Sequence, residues 1–378
     1  MTLLKHFWPL IKIFQVLGEF PFTRDESGIY QSRSLKFAIS HYILIVLIIY
    51  SFWTFALQTF GLNQFTLLAS YAKTNFDFIL LNVSYLSINF MNVFIITNII
   101  KEKEQISHLL NNDIPKSRLS NKLTIHGYII SFSFVTAIFI LSACYNMHIV
   151  FEPDVNLSKI IILGISLSIY IPWVNGTGII IIILINDLTN YLSDWSDNIT
   201  DSIENQNIPS SNALLQTIKL YKHGLNKVNS TFNFSFFVMI TFSVLILLSE
   251  SYSAISTFFS QDDYRTIEII LSANMVFYAL QITYTIIILC FQSQKIIDKI
   301  GILKEKLVEI PEDEHTEFIT EHGKSVRFSR NDALQFLEKF QGYDCLSYFH
   351  LGKSLFAQIT ATFVTYMIIL IQFKIGGD

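Results

Sequence analysis

Residues 232–259 read FNFSFFVMITFSVLILLSESYSAISTFF, and this run decides the class of the protein. Glu250 carries its only formal charge. A helix rises ~1.5 Å per residue and the hydrocarbon core of a bilayer is ~30 Å thick, so roughly 20 mostly apolar residues cross it. Working outward from this run, the stretches 37–60, 76–100, 125–149, 160–185, 267–291 and 354–373 meet the same test. Backbone amides cannot stay unpaired in lipid, so each stretch must be helical. The composition agrees: 51% of the residues are hydrophobic, 34 are phenylalanine and only 15% are charged, against about 25% charged in soluble domains. The sequence predicts an all-α membrane protein with seven transmembrane helices, built as one bundle.

The basic residues orient it. A cytoplasmic N-terminus puts all but four of the 26 Lys and Arg residues inside, the exceptions being Lys73, Lys159, Arg265 and Lys374. Such a bias marks the cytoplasmic face. The expected layout is a cytoplasmic arm at 1–36 and a bundle of spans one to six at 37–291, with inner loops at 101–124 and 186–231. A cytoplasmic segment follows at 292–353, then the seventh span at 354–373 and an extracellular tail at 374–378. No cleavable signal peptide is expected, so the first span directs insertion. Of the sequons, Asn156-Leu157-Ser158 falls outside and Asn156 is the glycosylation candidate, whereas Asn198 and Asn229 fall inside. This orientation is opposite to that of a G-protein-coupled receptor. The Asp-Arg-Tyr and Asn-Pro-x-x-Tyr marks of that class are absent too.

The inner segments are long. Leu214, Leu215, Ile218, Leu220 and Tyr221 lie at helical spacing among lysines, and Gln294 to about Ile310 reads as a charged helix. An acidic turn at 311–315 and a second helical pattern from Asp332 to about Phe340 follow. Spans are therefore expected to extend into the cytoplasm as helices, either making subunit contacts or presenting solvated charged faces.

No catalytic constellation survives inspection. The nine histidines form no His-x-x-x-His or His-Glu-x-x-His pair, and no phosphate-binding glycine loop is present. The chain is read as a non-enzyme without a cofactor or metal, and nucleic acid is not an expected partner. Cys144, Cys290 and Cys345 are too scattered for a disulfide framework and are expected as buried thiols. A single break, at Pro172, offers little support for the paired broken helices of a transporter.

Polar residues inside spans cost free energy in lipid, so they face the bundle interior or water. Asp77, Asn82, Tyr145, Trp173, Glu250, Asn274, Tyr278 and Gln281 form such a set near the outer half. Convergent aromatic and hydrogen-bonding groups suit a small-molecule pocket, and interhelical hydrogen bonding is the plainer account. The seventh span begins with small and hydroxyl residues, from Gly352 and Ser354 through Ala357, Thr360, Ala361 and Thr362 to Thr365. Both a water-facing pore lining and close helix contact suit such a run.

The chain ends on Thr365-Tyr366-Met367-Ile368-Ile369-Leu370-Ile371-Gln372-Phe373. This resembles the Thr-Tyr-five-hydrophobics-Gln-Phe signature of insect gustatory receptors. Phe14-Gln15-Val16-Leu17-Gly18-Glu19-Phe20-Pro21-Phe22 resembles the leucine-glycine-x-x-proline element before their first span. The resemblance implies a tastant-gated, non-selective channel for monovalent and divalent cations in the plasma membrane. It implies a homotetramer or heterotetramer in which the seventh span lines the pore. Thr365 and Tyr366 would lie along that pore, with Gln372 and Phe373 at its gate. The cytoplasmic helices would anchor the subunits, and the tastant, a sugar or a bitter plant compound, would sit in the outer half of each bundle. Met367 stands where the sugar-receptor branch commonly has Glu, a departure from the typical sugar receptor. An odorant-type receptor channel subunit and a secondary transporter are the alternative readings.

Overall fold

A computed structural model describes residues 75–112, 211–258, 265–308, 315–319 and 325–376. Shorter described pieces lie at 22–24, 30–32, 181–183, 185–186, 189–190, 192–194 and 196–201, with single helical residues at Lys12, Gln15, Ile39, Tyr42 and Val46. The expected spans at 125–149 and most of 37–60 and 160–185 lie outside the described residues, as do the chain ends that would fix the N-terminal topology.

The framework is helical. Helix α1 (Asn75–Lys101) leads into α2 (Lys103–Asn112) with the hydrogen bonding unbroken, since Glu102 N–H donates to the Asn98 carbonyl and Ile106 N–H to Glu102. Helix α3 (Ser211–Phe258) has 48 residues and α4 (Arg265–Val308) has 44. At ~1.5 Å per residue these span roughly 70 Å, about twice a hydrocarbon core. The expected extension of these two spans as helices beyond their apolar stretches is thus found in both.

The burial pattern explains this continuity. On α3 the buried positions Ile218, Tyr221, Leu225, Val228, Phe232, Ser235, Met239, Ser243 and Ile246 recur in steps of three and four. On α4, Ala279, Ile282, Ile286, Leu289, Ser293, Ile296, Ile300, Leu303 and Leu307 alternate the same two steps without a fault. An apolar seam of period ~3.5 lets two helices lie side by side over long distances. The seam crosses from the apolar half of α4 into its lysine-rich half unaltered. It holds α4 against α3, which also packs against α1. At the α1–α3 contact, Asn98 donates to the Thr231 carbonyl (3.1 Å) and to Ser235 Oγ (2.9 Å), while Phe94 meets Phe234 edge-on and stacks on Phe242.

Short antiparallel hairpins fill the gaps. Strands β1 (Phe22–Arg24) and β2 (Tyr30–Ser32) pair in register Phe22 with Ser32, and the Phe22 ring is fully buried. Strands β3 (His315–Ile319) and β4 (Ser325–Ser329) pair His315 with Ser329. No element is assigned from sequence between the acidic turn and Asp332; the hairpin forms there because Thr316-Glu317-Phe318-Ile319 and Ser325-Val326-Arg327-Phe328 are short runs of strand-forming residues. Helix α5 (Arg330–Lys339) starts on a capping box, with Ser329 Oγ accepting from Asp332 N–H and the Asp332 carboxylate accepting from Ser329 N–H. That backbone bond is the first reason why the Asp332 carboxyl titrates below its ordinary range. Strands β5 (Asp344–Cys345) and β6 (Phe349–His350) lead into α6 (Lys353–Gly376).

Arg330 ties α5 to the end of α4. Its buried guanidinium donates to the Leu307 carbonyl (3.0 Å) and the Val308 carbonyl (2.8 Å), acceptors that a helix C-terminus leaves open. Arg330→Ala is expected to cost about 2 kcal/mol, since two charge-assisted bonds vanish and buried carbonyls are stranded. The detergent-solubilised protein should melt several degrees lower; an unaltered melting temperature would remove this bond from the account.

Two helical stretches among the described residues, Ile218–Ile255 and Lys353–Gln372, are long and apolar enough to cross a membrane. They differ in setting. The first is largely enclosed by its neighbours, and the second is exposed over most of its surface.

Candidate functional site: the exposed helix α6 and its root

Helix α6 meets the rest of the chain along one stripe. Leu355 and Met367 are buried, with Phe356, Ile359 and Phe363 partly buried among them, facing α3 and α4. Ser354, Gln358, Ala361, Thr365 and Gln372 are exposed. At 3.6 residues per turn these five fall within about 60° of one another, opposite the Phe356–Phe363 side. The hydroxyls of Thr360 and Thr365 donate back to the Phe356 and Ala361 carbonyls, which lowers their cost in an apolar setting. The amides of Gln358 and Gln372 remain on the open face, where lipid would penalise them. Tyr366 is exposed, and the Phe373 side chain is outside the described residues. The expected line of Thr365, Tyr366 and Gln372 thus lies on the surface that this chain leaves uncovered.

Below α6 lies a buried polar seam that sequence reasoning missed. Gln292 Nε2 donates to Asn186 Oδ1 at 2.6 Å and Lys295 Nζ to Asn190 Oδ1 at 3.0 Å. Lys299 forms an ion pair with Asp197 at 2.5 Å, and Thr189 Oγ1 lies 3.2 Å from the Tyr343 hydroxyl. Partner numbers rise together, from Asn186–Gln292 to Asp197–Lys299, so the helical residues at 181–201 run parallel to α4. Burial lowers the proton affinity of Lys295, against the pull of Asp194. Burial also pushes the Tyr343 phenol up to about 12, so it stays neutral and able to donate. The Lys299–Asp197 pair is partly solvated and contributes only ~0.2–1 kcal/mol. The buried amide and hydroxyl contacts fix the register. A faint signal was present, since Asp194 and Asp197 are three apart and Lys295 and Lys299 four apart, each pair on one helix face.

The outer-half set is distributed over elements that pack together. Asp77 and Asn82 lie on α1, Glu250 on α3, and Asn274, Tyr278 and Gln281 on α4; α3 touches both of the others. Gln281 is buried and, among the described residues, its Oε1 has no hydrogen-bond partner. Glu250 is half-buried. The side chains of Asp77, Asn82, Asn274 and Tyr278 are outside those described, as are Tyr145, Trp173 and the sequon residue Asn156 altogether. Cys290 and Cys345 are free and buried, while Cys144 is outside the described residues. Among the described residues no His, Cys, Asp or Glu cluster is arranged to hold a metal ion.

No family profile matches the sequence, and no curated protein matches it. Solved structures do. The insect olfactory receptor OR5 from Machilis hrabei superposes with a TM-score of 0.56 at 16% identity, over 97% of this chain and 99% of that chain. The chain has the fold of an insect olfactory receptor. The same receptor in complex with eugenol gives a TM-score of 0.57 at 15% identity over the same shares of both chains. The olfactory-receptor fold therefore extends over nearly the whole sequence, and at this identity it transfers architecture rather than residue roles.

Proposed function

We propose that the chain is one subunit of a ligand-gated, non-selective cation channel, a multi-pass chemoreceptor of the plasma membrane. The observation that carries this reading is the exposed small-and-amide face of α6, turned directly away from the helices that hold it. In lipid such a face is costly, and it is relieved when copies gather around a shared aqueous path. A ring of four subunits, identical or related, would place one such face per copy around the axis. Likeness to a receptor solved with eugenol supports a small organic ligand. The Thr365–Phe373 motif favours the gustatory branch over the odorant branch. The cytoplasmic halves of α3 and α4, with α5, would serve as the anchor between subunits, and Asn156 would be the glycosylated position. Patch-clamp recording of the chain expressed alone, challenged with eugenol, fructose and quinine, tests the reading. Unitary currents support it; saturable uptake of a compound without unitary currents would establish the transporter instead.

The ligand site is placed among Asp77, Asn82, Tyr145, Trp173, Glu250, Asn274, Tyr278 and Gln281. Gln281 is the best placed, as its buried amide oxygen has no hydrogen-bond partner among the described residues and could accept one from a ligand. Losing one bond costs about 0.5–1.5 kcal/mol. Gln281→Ala and Trp173→Ala should each shift the dose–response several-fold at unchanged surface expression. Unaltered sensitivity in every substitution of the set would move the pocket elsewhere.

The proposed orientation places the N-terminus in the cytoplasm and the C-terminus outside, following the basic-residue bias. An N-terminal epitope tag should stain only after permeabilisation and a C-terminal tag without it. Surface staining of the N-terminal tag on intact cells would overturn the topology.

A further inference from the structure

Among the nine seam positions of α4 from Ala279 to Leu307, Ser293 is the sole polar side chain, and it is fully buried. Its Oγ accepts from Tyr343 N–H at 2.8 Å and donates to the Leu351 carbonyl at 2.8 Å. Those groups stand at the two ends of the β5–β6 loop and are bridged directly, Leu351 N–H to the Tyr343 carbonyl at 2.8 Å. One hydroxyl on α4 thus closes the base of the loop from which α6 rises. The next residue holds the helix itself. Gln294 Oε1 accepts from Lys353 N–H (3.2 Å), the first residue of α6, and its Nε2 donates to Asp298 (2.7 Å), which faces the Lys353 ammonium at 3.8 Å. From α3, Asn229 Oδ1 accepts from Asp344 N–H at 2.7 Å.

We propose that Ser293 and the 342–352 loop it closes form a latch that transmits movement of α4 to α6. This makes Ser293 a positioning residue for gating, and the proposal rests on the channel reading above. The geometry favours transmission at this point. Helix α6 is exposed along most of its length, and among the described residues α4 reaches it along the stripe from Leu355 to Met367, at Lys353 through Gln294 and Asp298, and through this loop. Gln281, the proposed ligand contact, is on the same continuous helix, twelve residues or ~18 Å from Ser293. A displacement at Gln281 therefore arrives at the latch without crossing a joint. Thr189 joins the loop through the Tyr343 hydroxyl, so the 181–201 segment bears on it too. Coupling between distant sites needs such a contiguous element whose arrangement both ends bias.

The test compares Ser293→Ala with Gln294→Ala and Asn229→Ala, recorded as single channels and paired with surface labelling. Whichever of eugenol, fructose and quinine opens the wild-type channel is the probe, applied at saturation. Ser293→Ala removes two hydrogen bonds at once, so maximal open probability should fall about tenfold. Gln294→Ala and Asn229→Ala should give smaller falls in the same direction. Unitary conductance and ion preference should not change. Fewer channels at the surface with normal gating of each would make the contacts merely structural and overturn the latch. Altered conductance with normal open probability would place Ser293 at the permeation path and overturn it as well. If Ser293→Ala never reaches the surface, normal open probability in both other variants overturns the latch. A wild type silent to all three compounds would sink the channel reading, and the latch with it.

Discussion

Phe373→Ala is expected to raise the current that flows without ligand, about tenfold, in cells expressing the variant. The seventh span ends on a bulky pair, Gln372 and Phe373, after a face of small and hydroxyl residues. Gln372 lies on the same side of α6 as Ser354, Gln358, Ala361 and Thr365, all exposed. A narrow apolar ring blocks ions by dewetting, and widening it removes the barrier. Symmetry multiplies the effect. If each of four copies contributes only ~0.35 kcal/mol to the closed state, the total is about 1.4 kcal/mol, which is tenfold in the equilibrium. Gln372→Ala is expected to act differently: it takes a polar group from the path and alters gating or ion preference more than leak. Single-channel recording of both variants decides. Unchanged basal current, conductance and selectivity in the two would mean that this pair does not border a pore.

Much of the architecture was written plainly. The run at 232–259 stands out because it carries one charge in so long an apolar stretch, and α3 contains all but its last residue. Continuity was legible from the helical pattern at 214–221 and the charged helix read from Gln294, rather than from composition. Windows of hydropathy cut α3 and α4 where lysines begin, whereas the seam of alternating three and four steps passes from Ile286 to Leu307 without interruption. Period, not polarity, marks the helix, and the lysines lie beside the seam rather than in it. The β5–β6 hairpin, by contrast, was invisible. Its turn puts Leu346 (φ 54°) and Ser347 (φ 62°) in the left-handed region, where Asn and Gly are the usual signals. Asp344 stabilises the turn by accepting from Ser347 N–H at 2.8 Å, a contact that no propensity foretells. The open face of α6 was legible as a run of small residues. Its orientation was not, because only contact with α3 and α4 tells which side is turned away.

Gly342→Ala should be the most damaging single change near the root of α6, costing roughly 3–5 kcal/mol. Gly342 has φ +114°, a conformation that side chains with a Cβ rarely adopt. Space compounds the strain. A Cβ there would run into the Leu351 carbonyl and stand 2.8 Å from Ser293 Oγ and 3.2 Å from Ile297 Cδ1. The first obstacle is backbone, so it cannot swing aside as the end of a flexible side chain would. Relief requires Leu351 to shift, which breaks its bonds to Ser293 and Tyr343 and strands buried groups. The protein should melt well below the parent in detergent, and little of it should reach the cell surface. Gly301→Ala is the matched control. It sits on the exposed face of α4 with nothing within 4 Å of where a Cβ would stand, so the change should stabilise the helix by about 0.5–1 kcal/mol. Opposite signs at the two glycines separate a backbone requirement from a general intolerance of substitution. A Gly342→Ala protein that melts and traffics like the parent would show that the loop closes in some other way and that Ser293 is not held at its base.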